Sequence, residues 1–101
     1  MEVRFTPFAH EDIRNIYNYV LKDGETTAQK QVISIYDSIE SLGEFPNMGA
    51  SLQKFVVRST KLRYLVINKV YIVIYDVTDA VDVIRVFRKE QDFINDLGIS
   101  D

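Results

Sequence analysis

The sequence predicts an α+β fold: an N-terminal strand and an antiparallel helical hairpin packed on a C-terminal three-stranded antiparallel meander, with four strands in the sheet. Two observations predict it. Between residues 9 and 42 apolar side chains recur at steps of three and four, the period of helices with one buried face. From residue 62 to residue 88 they alternate singly, the period of strands, and two groups of turn formers interrupt the run. A third observation bounds the size: 101 residues with 47% hydrophobic content suit one domain, residues 1–101, with a modest core.

Each element has its own justification. Val3 and Phe5 alternate with Arg4 and Thr6, which reads as a short half-buried strand. Thr6-Pro7 then starts a helix, because the hydroxyl can accept from an orphan amide and proline suits the first helical position. Ala9, Ile13, Ile16, Tyr17 and Val20 form its apolar stripe, Glu11 and Asp12 lie near its positive end, and Gly24 stops it. Thr26 or Thr27 is expected to cap a second helix, whose seam is Ala28, Val32, Ile35, Ile39 and Leu42. The short link between the helices makes them antiparallel neighbours. Gly43 ends the second, and Phe45-Pro46-Asn47-Met48-Gly49 is a turn with an apolar plug on either side. Three strands follow, turning at Asn68-Lys69 and at Thr78-Asp79-Ala80. One face of their sheet packs on the helices, and the other is expected to be partly bare and to meet a partner.

Composition excludes several classes. With no cysteine there are neither disulfides nor thiolate metal sites, which suits a cytoplasmic protein; no cofactor or metal is expected. Apolar stretches such as residues 70–75 are too short to span a bilayer, and Met1-Glu2 does not begin a signal peptide. The net charge of −3 is unevenly spread: residues 1–50 carry −4, residues 51–71 carry five bases and no acid, and residues 72–101 carry −4. A local basic surface can therefore meet phosphates or acidic side chains, while the overall sign opposes unspecific coating of nucleic acid. Lys61, Arg63, Arg85, Arg88 and Lys89 fall near strand ends and form the expected basic corner. Arg63 and Arg85 could instead pair with Asp76 or Asp82 across the ladder.

The ordered set of motifs resembles a known superfamily. It comprises Thr6-Pro7-Phe8-Ala9-x-x-Asp12-Ile13-x-x-Ile16-Tyr17-x-Tyr19-Val20, then Ile39-Glu40-x-Leu42-x-Glu44-Phe45-Pro46-Asn47-Met48-Gly49. Arg63, Tyr71-x-x-x-Tyr75 and Val83-Ile84-Arg85-Val86, with Arg88 and Asp92, complete it. Together these resemble the ParE/RelE superfamily of toxins from type II toxin-antitoxin modules, the plasmid stabilisation proteins. The resemblance implies a growth-inhibiting toxin silenced by a cognate antitoxin that wraps its sheet and helices. It also implies one of two targets: DNA gyrase for ParE-like members, or mRNA on the ribosome for RelE-like members.

Residues bear on that choice. RNA cleavage needs a base, cationic clamps and an acid at short range. Here Ile72 stands where nucleolytic members place an arginine, Lys89 stands where another is expected, and residues 91–95 hold neither His nor Tyr. His10, the single histidine, lies among acids near the start of the first helix and reads as a solvated side chain. Tyr64, Tyr71 and Tyr75 read as core or interface residues, and Glu90 and Asp92 as a solvated helix start.

The leading expectation is thus a ParE-like binding inhibitor of a gyrase-type target, contacted by Lys61, Arg63, Arg85, Arg88 and Lys89. The alternative is a ribosome-dependent endonuclease with Arg63, Arg85 and Lys89 as catalytic candidates. A second alternative is an inactive antitoxin-binding module. The bare sheet face leaves room for a homodimer. Arg63→Ala and Arg85→Ala are expected to abolish growth arrest with the fold intact.

Overall fold

The computed structural model describes residues 1–98. Strand β1 (Val3–Phe5) leads into helix α1 (Pro7–Val20), a 3-10 turn and helix α2 (Glu25–Glu40). Strands β2 (Ala50–Ser51), β3 (Arg63–Ile67), β4 (Tyr71–Val77) and β5 (Val81–Arg88) follow, then the short helix α3 (Phe93–Leu97). The helical hairpin and the β3-β4-β5 meander are as expected, but the sheet has five strands in the order β1-β5-β4-β3-β2 and is mixed. Strand β1 runs parallel to β5, pairing Val3 with Val81 and Phe5 with Val83, because the chain crosses over through both helices before returning. The fifth strand is two residues long and pairs Ala50 with Tyr64, too short for any periodicity to announce it.

Thr6 caps α1 as read, and it does more. Its Oγ1 accepts from the Ala9 amide at 3.1 Å and donates to the Ile84 carbonyl at 2.7 Å, so one hydroxyl both starts the helix and ties it to β5. Helix α2 begins earlier than expected, at Glu25, and neither threonine caps it. Gly24 occupies the N-cap with φ 109°, a conformation that glycine adopts without steric cost and that turns the chain between the helices. The buried faces are those expected from the spacing: Ala9, Ile13, Ile16 and Val20 on α1, and Ala28, Ile35 and Ile39 on α2, packed with Tyr71, Val73, Val83 and Val86 of the sheet, while Leu42 beyond α2 packs with Tyr75 and Val81. In the β3-β4 turn, Asn68 (φ 54°) and Lys69 (φ 60°) both take left-handed backbone without a glycine. The Asn68 side chain donates to Ser34 Oγ at 2.8 Å, which helps to hold that turn on α2.

The second sheet face is mostly covered. The 3-10 turn at Leu52–Phe55 folds back over it and α3 lies beside it, burying Leu52, Ile74 and Phe87 with Leu62, Tyr64, Ile72, Phe93 and Leu97 packed around them. The expected bare face overlooked this because residues 52–62 lack strand alternation yet still carry the apolar side chains Leu52, Phe55 and Leu62. The apolar plugs expected beside Pro46 also point outward: Phe45 and Met48 are about half exposed.

Candidate functional site

The expected basic corner divides into three places. Arg63 lies opposite Tyr75, whereas Arg85 lies opposite Ile74, the next residue of β4. Successive strand residues point to opposite faces, so the two arginines leave the sheet on opposite sides. They do not form one cationic surface.

Arg63 is committed to the Phe45–Gly49 loop. Its Nη2 donates to the carbonyls of Asn47, at 3.2 Å, and of Gly49, while its Nε is buried without a partner. Beside it the fully buried Tyr75 donates its hydroxyl to the Pro46 carbonyl at 2.8 Å and accepts from the Gly49 amide at 3.0 Å. A hydroxyl and a guanidinium thus satisfy backbone groups that a loop over a core would otherwise leave unpaired. The loop must come close for this. A Cβ at Gly49 would stand 2.3 Å from the Tyr64 carbonyl oxygen and 2.7 Å from the Tyr75 hydroxyl, so the position accepts only glycine.

Arg85 is committed to helix α1. Strand β1 ends at Phe5, which leaves the outer edge of β5 unpaired beyond Ile84. Asp12 completes that edge: its carboxylate accepts from the Val86 amide at 2.9 Å and, bidentately, from Arg85 Nε at 2.7 Å and Nη2 at 2.9 Å. The hydrogen bond to Asp12 holds the Arg85 pKa above its ordinary value, and the guanidinium also lies 4.7 Å from the Phe87 ring. The carboxylate partner is therefore Asp12, not Asp76 or Asp82 of the ladder. Asp82 instead binds Arg4 of β1 at 2.8 Å, with Asp79 joining at 3.1 Å.

Arg88 and Lys89 lie at the far end of β5. Arg88 is opposite Tyr71, pairs with the exposed Glu90 at 3.1 Å, and holds its guanidinium 4.1 Å from the ring of Tyr19 on α1. Lys22 Nζ lies 3.9 Å from that same ring, and its hydrogen bond and charge lower the Tyr19 pKa. Burial raises that of Tyr71, whose hydroxyl donates to Gln31 Oε1 at 3.1 Å. Lys89 is exposed, and its amide meets the Val70 carbonyl at 2.8 Å beside the Asn68-Lys69 turn. Lys61 is exposed just before β3. Asp12, Tyr19 and Lys22 were not among the site residues read from sequence. The Tyr19–Lys22 spacing of i, i+3 was the available signal for two of them, whereas the Asp12–Arg85 pair spans 73 residues.

The remaining candidates are accounted for locally. His10 stacks on Phe5 with ring centroids 5.0 Å apart, and Asp92 caps α3. Two concavities open on the surface: one of about 570 Å³ along Glu44–Met48, and one of about 320 Å³ between the helices, lined by His10, Ile13, Arg14, Tyr17, Val32 and Tyr36. Among the described residues no group of His, Asp or Glu could hold a metal ion, and no helix is long and apolar enough to cross a membrane.

Comparison with known proteins fits this architecture. No curated protein matches the sequence. Among solved structures, the chromosomal ParDE TA system from P. aeruginosa superposes with a TM-score of 0.75 over 89% of this chain and 97% of that one, at 22% identity. At that identity the likeness establishes the shared fold. The family model for the ParE toxin of the type II toxin-antitoxin system, parDE, matches residues 3–93, from β1 to the start of α3. The chain belongs to the ParE toxin family of type II toxin-antitoxin systems.

Proposed function

We propose that this protein arrests growth in the cytoplasm by binding a gyrase-type macromolecular target, without cutting it, and that a cognate antitoxin neutralises it. The single observation that carries the binding reading is the dispersal of the cations. Cleavage of a phosphodiester needs a base, clamps and an acid within a few ångströms of one phosphorus. Here Arg63 is held by loop carbonyls and Arg85 by Asp12, on opposite faces of the sheet, and Lys89 lies at the far end of β5.

In this reading the target-binding set keeps its five members in two roles. Lys61, Arg88 and Lys89 meet the target directly, and Arg63 and Arg85 hold the framework that presents them. The groove between α1 and α2 is the place offered to the antitoxin. It combines apolar walls with His10 and Arg14, and Phe8 and Ile33 on the same helices are well exposed.

The test pairs two assays on the purified protein. DNA supercoiling by gyrase is expected to fall with added protein, while ribosome-bound message stays intact. Cleaved message would instead establish the endonuclease, and silence in both assays would establish an inactive antitoxin-binding module. Co-expression with a cognate antitoxin should restore growth and yield a co-purifying complex.

A further inference from the structure

The end of the molecule around Tyr19 has features that the fold does not require. Two cations from distant parts of the chain, Lys22 after α1 and Arg88 at the end of β5, converge on one exposed tyrosine ring at 3.9 and 4.1 Å from its centroid. By those distances the two charges lie within about 8 Å of each other. Like charges this close repel. The ring quadrupole offsets part of that cost. Lys69 and Lys89, both exposed, extend the positive charge toward the β3-β4 turn, because the Lys89 amide is bonded to the Val70 carbonyl.

Among the described residues, one acid is ion-paired with this cluster. Glu90 takes Arg88 at 3.1 Å, but its side chain is 54% exposed and sits only two residues away on a turn. An exposed ion pair of this kind contributes little and can be exchanged for another oxyanion. Glu90 therefore leaves Arg88 able to take a second anion in its place. Arginine presents a planar fork suited to phosphate oxygens, and lysine adds a point charge alongside. The row of further lysines suits a ligand with repeated charges.

We propose that Lys22 and Arg88, positioned by Tyr19 and extended by Lys69 and Lys89, bind the phosphodiester backbone of a nucleic-acid strand. This rests on the target-binding reading above and names the nucleic acid held by a gyrase-type target as what Arg88 and Lys89 meet, and it is tested without any toxicity. The direction of the Tyr19 pKa, lowered by Lys22 with a smaller contribution from Arg88, agrees with a site of excess positive potential.

The experiment is fluorescence anisotropy of a labelled single-stranded oligonucleotide, as DNA and as RNA, titrated with the whole protein at several salt concentrations. Binding is expected to weaken with salt at a slope near −2.8, about −0.7 for each of four phosphates facing Lys22, Arg88, Lys69 and Lys89. Lys22→Ala and Arg88→Gln should each weaken binding about fivefold and reduce the slope by about 0.7, roughly a quarter. Glu90→Gln should tighten it about twofold, because it removes the competing carboxylate. A purely structural Arg88–Glu90 pair has no reason to do that.

Absence of oligonucleotide binding at low salt would overturn the proposal, as would binding unaffected by Lys22→Ala. Tighter binding of polyglutamate than of either strand, at equal charge concentration and with the same loss in Lys22→Ala, would overturn the proposal and reassign the site to an acidic protein. If Arg88→Gln fails to fold, exposed Lys22 and Glu90 still decide the matter. Inhibition of supercoiling by a protein that binds no oligonucleotide would leave the target-binding reading standing and remove this site alone.

Discussion

Arg63 and Arg88 sit on the same face of the sheet, each opposite a buried tyrosine of β4, about four strand residues or roughly 13 Å apart along it. Their fates differ. At the Arg63 end, the guanidinium and the Tyr75 hydroxyl are used up on the backbone of the Phe45–Gly49 loop. At the Arg88 end, Tyr71 is tied to Gln31 of α2, and the guanidinium is left over the exposed Tyr19 with a weakly held acid and further lysines around it. The same pair of residue types closes a core at one end and builds a charged surface at the other. What differs is whether a stretch of main chain with unpaired carbonyls lies over the arginine.

The closed end should break first and hardest. Gly49→Ala forces a Cβ against the Tyr64 carbonyl and the Tyr75 hydroxyl, and a loss of about 3 kcal/mol is expected in urea denaturation. An equally stable variant would mean that the loop is not held as described. Arg63→Ala strips donors from two loop carbonyls and should cost about 2 kcal/mol, so any loss of toxicity in that variant must be read against its folded fraction.

Asp12→Ala belongs with the closed class although it acts at the outer edge of β5. It leaves the Val86 amide and Arg85 without their acceptor at once, an expected loss of about 2–3 kcal/mol by thermal denaturation. Asp12→Asn should recover part of it by keeping one acceptor oxygen. Exposed lysines should behave oppositely: Lys89→Ala at the open end, and Lys61→Ala just before β3, are expected to shift stability by no more than about 0.5 kcal/mol. Both should weaken inhibition of the target, and a stability effect as large as that of Arg63→Ala would erase the contrast.

Acid should reveal a further, weaker closure at β1. Asp79 is held below its ordinary pKa of 3.8 by Thr78 and Arg4, and Asp82 by Arg4 first. A carboxylate with a depressed folded pKa contributes stability that is complete above the unfolded value and is lost as pH falls through the folded one. Melting temperature should therefore decline as pH drops below about 4, and less steeply in Arg4→Gln. Both acids are exposed, so this is the smallest of the effects.

Local chemistry alone was enough for much of the molecule. The stripe from Ala9 to Val20, the seam from Ala28 to Leu42, the Thr6-Pro7 helix start and the β3-β4-β5 meander are repeated short-range patterns, and each survives in the structure as read. Such patterns are legible because burial on one face of a helix or strand imposes its period on neighbouring residues. The family was legible as a resemblance of the ordered residue motifs from Thr6-Pro7 to Asp92, and the family model over residues 3–93 bears it out.

Tertiary structure alone decided where the charges are spent. Arg63 and Arg85 look alike in sequence to Arg88, yet their partners are a carbonyl 14 residues away and a carboxylate 73 residues away, and no periodicity encodes either pairing. The covering of the second sheet face by residues 52–55, the parallel pairing of β1 with β5 and the convergence of Lys22 with Arg88 on Tyr19 are of the same kind. A buried hydrogen bond requires a partner at one distance and angle, whatever its position along the chain, so only the folded chain determines which cations remain available to another molecule.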